Sequence, residues 1–241
     1  MLQNFESTFI PSPGGPLPGF RHIPTGIDFV RLPGGTFLMG LSLAEEAQAR
    51  LLAEPPPISV EEMRPICQKK IGPILVSVTP VLQNQVAGTK VAAEAGSPVL
   101  WQYESAENFA KKHSFRLPTE AEWEYFCRAG SSDLFTWGKD LLTESELSNW
   151  LSWDLSDLAT APRNKFGLAG LFFGEWCSDF YRPDLANTSR PTGDRVVRGG
   201  GAYFWPWQAD EWVWCMSAIR MPSSELVENV CAFRLVYDLG L

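Results

Sequence analysis

The sequence predicts an α+β domain with two central helices, short twisted sheets and a long irregular C-terminal half. Three observations predict it. Two helical segments, the second opened by a capping box, lie in the middle of the chain, between residues 103 and 128. Short apolar and β-branched runs precede them. Beyond Gly130 the chain breaks into brief aromatic segments separated by Gly, Asn, Asp and Pro. The composition agrees. A chain of 241 residues can bury a full core, and 19 prolines and 20 glycines beside ten tryptophans suit a loop-rich backbone held by aromatic anchors.

Residues 1–26 read as an N-terminal arm, because PSPGGPLPG over 11–19 offers no regular structure, and the domain proper is expected over 27–241. Ile27–Met39 contains two short strand-like runs around a Pro-Gly-Gly turn. Residues 41–53 form a short helix ended by the prolines 55–57. Ile74–Thr79 is a strand stopped by Pro80. In 103–113, Ala106, Phe109, Ala110 and His113 share one helical face. Thr119 and Glu122 make a capping box for a second helix whose inward stripe is Trp123, Phe126 and Cys127. The carboxylates Glu120, Glu122 and Glu124 are expected on its surface, complementing the helix dipole.

The net charge of -8 argues against nucleic acid or an anionic membrane as the main partner, since both need a positive field. No apolar run is long enough to span a bilayer, and Met1–Phe20 lacks the pattern of a signal peptide. Cysteines 67, 127, 177, 215 and 231 are odd in number and widely spaced, which fits reduced thiols in a cytoplasmic protein rather than a disulfide framework. No phosphate-binding loop motif occurs, and His22 and His113 do not support a Ser-His-Asp constellation.

Residues 116–130, RLPTEAEWEYFCRAG, resemble the signature of the formylglycine-generating (sulfatase-modifying factor) family. Other landmarks resemble that family in its order: Phe37–Gly40, SPVLWQYESAENFA at 97–110, Leu134–Gly138, Ser148-Asn149-Trp150, Phe166–Leu168 with Gly174–Asp179, Arg195–Gly200 and Ala232–Val236. Together they cover nearly the whole chain from about residue 29. The resemblance implies the formylglycine-generating-enzyme, C-type-lectin-like fold.

It also implies a chemistry that the residues do not match. The family's founding activity oxidises a substrate cysteine with two copper-binding cysteines, and soft thiolates suit that metal. Aligned on Arg220, those positions fall at or near Trp207 and Trp212, which cannot ligate copper. Cys215 is the only thiol in 199–220; Cys231 could approach it, although two small buried hydrophobes are the plainer reading. The related sulfoxide synthases hold iron with histidines, and a chain with only His22 and His113 cannot assemble three. No catalytic residue and no redox cofactor are therefore expected. One structural calcium could lie near Asn149, with Asp154 and Asp157 close by, but the second calcium loop is shortened at LFFGEW.

The segment 203–214, YFWPWQADEWVW, holds four of the ten tryptophans. In relatives it lies on the substrate-holding face, and the variable proteins of diversity-generating retroelements display their ligand contacts there. Tryptophan is enriched at binding hot spots. Tyr203, Phe204, Trp205, Trp207, Asp210, Glu211, Trp212, Trp214, Cys215 and Arg220 are thus the candidate ligand-binding residues, for a protein, peptide or small ligand. The competing expectation is that half of these rings only pack the core. The rival function is a metal-dependent oxidoreductase with a divergent site around Cys215, Asp210 and Arg220.

Overall fold

The computed structural model describes residues 3–52, 60–86, 96–141, 143, 145–146, 158, 161–186, 188–200, 212–226 and 228–240. Strands β1 (Phe5–Ile10), β2 (Leu17–His22), β3 (Ile27–Leu32), β4 (Gly35–Met39), β5 (Cys67–Ile71) and β6 (Ile74–Ser77) precede two of the three helices. Helix α1 spans Leu43–Leu52, α2 Tyr103–Lys112 and α3 Glu120–Arg128. Strands β7 (Glu175–Phe180), β8 (Arg195–Arg198), β9 (Met221–Pro222) and β10 (Val236–Asp238) follow. They form an antiparallel five-stranded sheet in the order β1-β2-β3-β6-β10, a β4-β5 ribbon and a β7-β8-β9 sheet.

Alternation along the central strands feeds two faces of the large sheet. Phe29 and Leu75 pack with Ala106 and Ala110 of α2. Their neighbours Val30 and Val76 pack with Trp123, Phe126 and Cys127 of α3. Strand β6 is accordingly buried at every residue, the pattern of a strand covered on both sides. The inward stripes expected of α2 and α3 are therefore the two clamps on this sheet.

The helix boundaries follow local chemistry. Thr119 accepts from the Glu122 amide at 3.2 Å, and Glu122 returns the bond to the Thr119 amide at 2.8 Å. Ser42 and Glu45 make the same exchange at the start of α1. At the other end of α3, Ala129 is left-handed at φ 46°.

One expectation needs revision. The stretch 11–19 was expected to lack regular structure, yet Leu17–Gly19 belongs to β2, and only the prolines and glycines before it turn. The β1-β2 hairpin extends the large sheet because Gly19 lets Ile10 close over it: a Cβ there would lie 2.4 Å from the Ile10 side chain. The Pro-Gly-Gly turn does not pair the strands on either side of it. Strand β3 pairs with β2 and β6, whereas β4 pairs with β5. Gly34, at φ 76°, passes so close to the β5 end that a Cβ would meet the Ile71 carbonyl at 2.4 Å, which permits the switch between sheets.

Candidate functional site

The Trp-rich segment leaves β8 through Gly199 and Gly200 and returns as the 3-10 turn Trp212–Cys215. Tyr203, Phe204, Trp205, Trp207, Asp210 and Glu211 lie outside the described residues, as do Asn149, Asp154 and Asp157. Four candidates can be placed. Trp212 is 4% exposed and meets Phe135 edge-on at 5.9 Å. Phe135 in turn stacks on the half-buried Trp137 at 4.7 Å. Trp214 is half-buried, and Cys215 is buried in the same apolar cluster. Arg220 is also interior. Trp212, Cys215 and Arg220 thus form the packed base of the segment.

That base is anchored by charge. Arg220 donates to Glu120 Oε1 at 2.6 Å and Oε2 at 2.9 Å, and to the carbonyls of Glu62 and Arg182. Arg198 reaches Glu120 at 3.2 Å and Glu124 at 2.5 Å, and donates to the carbonyls of Ser217 and Ala218. Arg128 then bridges Glu124 at 2.8 Å and Glu45 at 2.6 Å. The Gly40 amide closes the chain on Glu124. Three guanidinium groups and three carboxylates therefore alternate through the interior without net charge. Burial alone would raise the Glu124 pKa, but Arg198 and Arg128 beside it hold the carboxyl below its ordinary value. Isolated, each such charge would cost several kcal/mol to desolvate; alternation and hydrogen bonding offset that cost.

The surface placement expected for Glu120, Glu122 and Glu124 is therefore wrong: all three are buried, and Glu124 is fully enclosed. Only Glu122 keeps a capping role, shared with an ion pair to Arg116. A signal was present in the sequence. Glu120, Glu124 and Arg128 recur every fourth residue, beside the apolar Trp123 and Cys127, so one face carries both the core residues and the charges. A second interior pair, Glu175 with Arg234 at 2.6 Å, also receives the Trp123 indole N–H at 3.1 Å.

The remaining sulfur and imidazole groups are dispersed. All five cysteines are free; Cys67 is half-buried and the other four are buried. Burial pushes the Cys127 thiol up to about 12 and lifts that of Cys231 well above its usual value, so neither is poised as a thiolate. His22 and His113 do meet, their rings 5.9 Å apart, although the sequence places them on separate elements. No group of three or more His, Cys, Asp or Glu side chains among the described residues has metal-holding geometry. No helix among them is long and apolar enough to cross a membrane.

Relatives share this architecture. PvdO from Pseudomonas aeruginosa superposes with a TM-score of 0.62 at 18% identity, covering 89% of this chain and 95% of that one. Treponema denticola variable protein 1 superposes at 0.56 and 17% identity, covering 97% and 98%. In sequence, the formylglycine-generating enzyme of Mycobacterium tuberculosis is 30% identical over 142 residues, 46% of this chain and 48% of that protein. The serine/threonine-protein kinase pkn1 of Chlamydia pneumoniae is 34% identical over 109 residues, 39% of this chain and 17% of the kinase. The match thus spans about half of the mycobacterial protein and a smaller part of the kinase. Residues 20–239 match the sulfatase-modifying factor enzyme 1-like domain, and with the signature helix, the R-V-V-R-G-G strand and the fold in agreement, the chain belongs to that formylglycine-generating enzyme family.

Proposed function

We propose that this protein is a non-catalytic binding member of its family, a pseudoenzyme that engages a protein, peptide or small ligand through the aromatic segment 203–214. One observation carries the reading. The resemblance puts the second catalytic cysteine at or near Trp212, an indole packed edge-on against Phe135. An indole offers a metal no lone pair in place of a thiolate. Cys215, the one thiol nearby, is itself in the apolar cluster. An aromatic segment entering a base locked by ion pairs suits recognition, because a rigid frame lowers the ordering cost of binding. An accessory subunit and a retroelement-diversified variable protein are the two forms this binding role takes; a partner with apolar surface and cations for Asp210 and Glu211 fits either. The five free thiols support a cytoplasmic setting.

The test uses a peptide selected against the full chain from a displayed library. Trp207→Ala is expected to weaken its binding by ~2 kcal/mol or more. Unchanged affinity removes the segment as the binding face. The rival, a metal-dependent oxidoreductase, predicts oxygen consumption on a cysteine-containing peptide with copper or iron supplied. Turnover there would replace the binding reading.

A further inference from the structure

A cavity of about 390 Å3 opens beside the N-terminus of α3, walled by Met39, Lys69, Glu120, Asp179, Phe180 and Arg182. Its charged groups differ in what they have left to offer. Glu120 is committed, with Arg220 on both oxygens and Arg198 on one. Asp179 accepts the Glu120 amide through Oδ2 at 2.6 Å, and among the described residues no cation pairs with it. Burial, with Glu120 and Glu122 nearby, pushes its carboxyl above the usual range. Lys69 and Arg182 bring two positive charges to the same cavity. Arg182 donates to the Ser189 carbonyl, and neither cation has a carboxylate partner among the described residues.

An acid and two bases thus line one space without pairing to one another. An apolar guest would leave all three desolvated and unanswered. A simple anion would meet Asp179, and a simple cation would meet Lys69 and Arg182. A guest carrying both signs satisfies each group in charge-assisted hydrogen bonds. We propose that this cavity binds a small zwitterion of the α-amino acid class, with its ammonium on Asp179 and its carboxylate on Lys69 and Arg182. The volume falls within the span of small-molecule sites, about 300–1,000 Å3. Met39 and the half-exposed Phe180 provide apolar surface for the guest's side chain. The Arg195 guanidinium lies over the Phe180 ring, 3.8 Å from its centre. None of the described residues of the Trp-rich segment lines the cavity, and Trp207→Ala is expected to leave binding there unchanged.

Calorimetric titration of the full chain with each common free amino acid tests the assignment. Saturable binding of at least one is expected, weakened about tenfold or more when the same compound is N-acetylated or converted to its amide. Lys69→Met is expected to reproduce the loss seen with the amide. Asp179→Asn is expected to reproduce the loss seen with the acetyl compound. Because Asp179 also caps α3, circular dichroism checks that variant, and if it fails to fold the N-acetyl compound probes the same contact on the native chain. Absence of saturation by every amino acid at about 10 mM overturns the proposal. So does binding that survives both chemical blocks or is untouched in Lys69→Met.

Discussion

Arg220 grips Glu120 through two parallel hydrogen bonds of 2.6 and 2.9 Å, across 100 residues of sequence. The planar guanidinium matches the carboxylate fork, so the pair fixes orientation as well as distance. Glu120 opens α3, and Arg220 ends the return of the Trp-rich segment. Arg198, at the segment's departure, holds the same helix through Glu120 and Glu124. The residues flanking the candidate binding segment, Arg198 and Arg220, are thereby tied to one helix.

Removing one partner of such a pair leaves a buried charge without compensation. Arg220→Met is expected to lower unfolding stability by about 3–5 kcal/mol, read from the urea midpoint. The double variant Arg220→Met with Glu120→Met should lose less than the two single costs summed. Additive losses would show that the pair is not energetically coupled.

Trp212 and Trp207 separate packing from recognition. Trp212→Ala removes a ring enclosed by Phe135 and its cluster, and about 3–5 kcal/mol of stability should go with it. Trp207→Ala is expected to act on peptide affinity. A Trp212→Ala chain as stable as the native one would place that ring outside the core.

Gly199 starts the loop at φ 81°, where a Cβ would lie 2.7 Å from the Leu171 carbonyl and 2.8 Å from the Trp123 ring. Gly199→Ala therefore combines left-handed strain with a clash against backbone, at a cost of about 1–3 kcal/mol or more. Thermal unfolding measures it; an unchanged Tm would mean that the chain relaxes there freely.

Acid should weaken the fold before carboxylates titrate. Burial and then the neighbouring His113 hold the His22 pKa below its ordinary 6.5; burial and then Lys112 do the same for His113. Below that ordinary value the unfolded chain binds protons that the folded chain refuses. Stability is then full above 6.5 and declines as the pH falls from it toward the lower folded values. Urea midpoints taken from about pH 7.5 to about pH 5 should fall in the native chain and fall less in His22→Phe. Parallel curves would remove the histidine pair as the cause.

Thiol labelling should be selective. Cys67 alone is half-buried, so native-state alkylation followed by mass spectrometry is expected to mark it first. The four buried cysteines should react only as the chain unfolds. Early labelling of Cys215 would reopen the question of a reactive site in the Trp-rich base.

The helices were legible because their causes are local. Thr119 and Glu122 are three residues apart, and Ala106 and Ala110 are one turn apart, so periodicity and capping place them without knowledge of the rest. The strand runs on either side of Pro33-Gly34-Gly35 were legible too, but their partners were not. A strand's pairing depends on edges contributed from elsewhere, and here β6 and β5 claim one run each. The Pro/Gly stretch concealed a hairpin for a related reason: Gly19 sits in β2 only because Ile10 folds over it. The candidate site was legible as a segment. That the segment returns to an interior Arg220 gripping Glu120 was not.

What the sequence determined by itself is the family and the order of its landmarks, both carried by residue identity along the chain. The tertiary structure alone decided that Arg198 and Arg220 are the partners of Glu120 and Glu124, and that His22 lies against His113. A charge can be buried only where its counter-charge arrives, and for Glu120 that arrival comes from 100 residues away. Local pattern contains no measure of such a distance; the folded chain does.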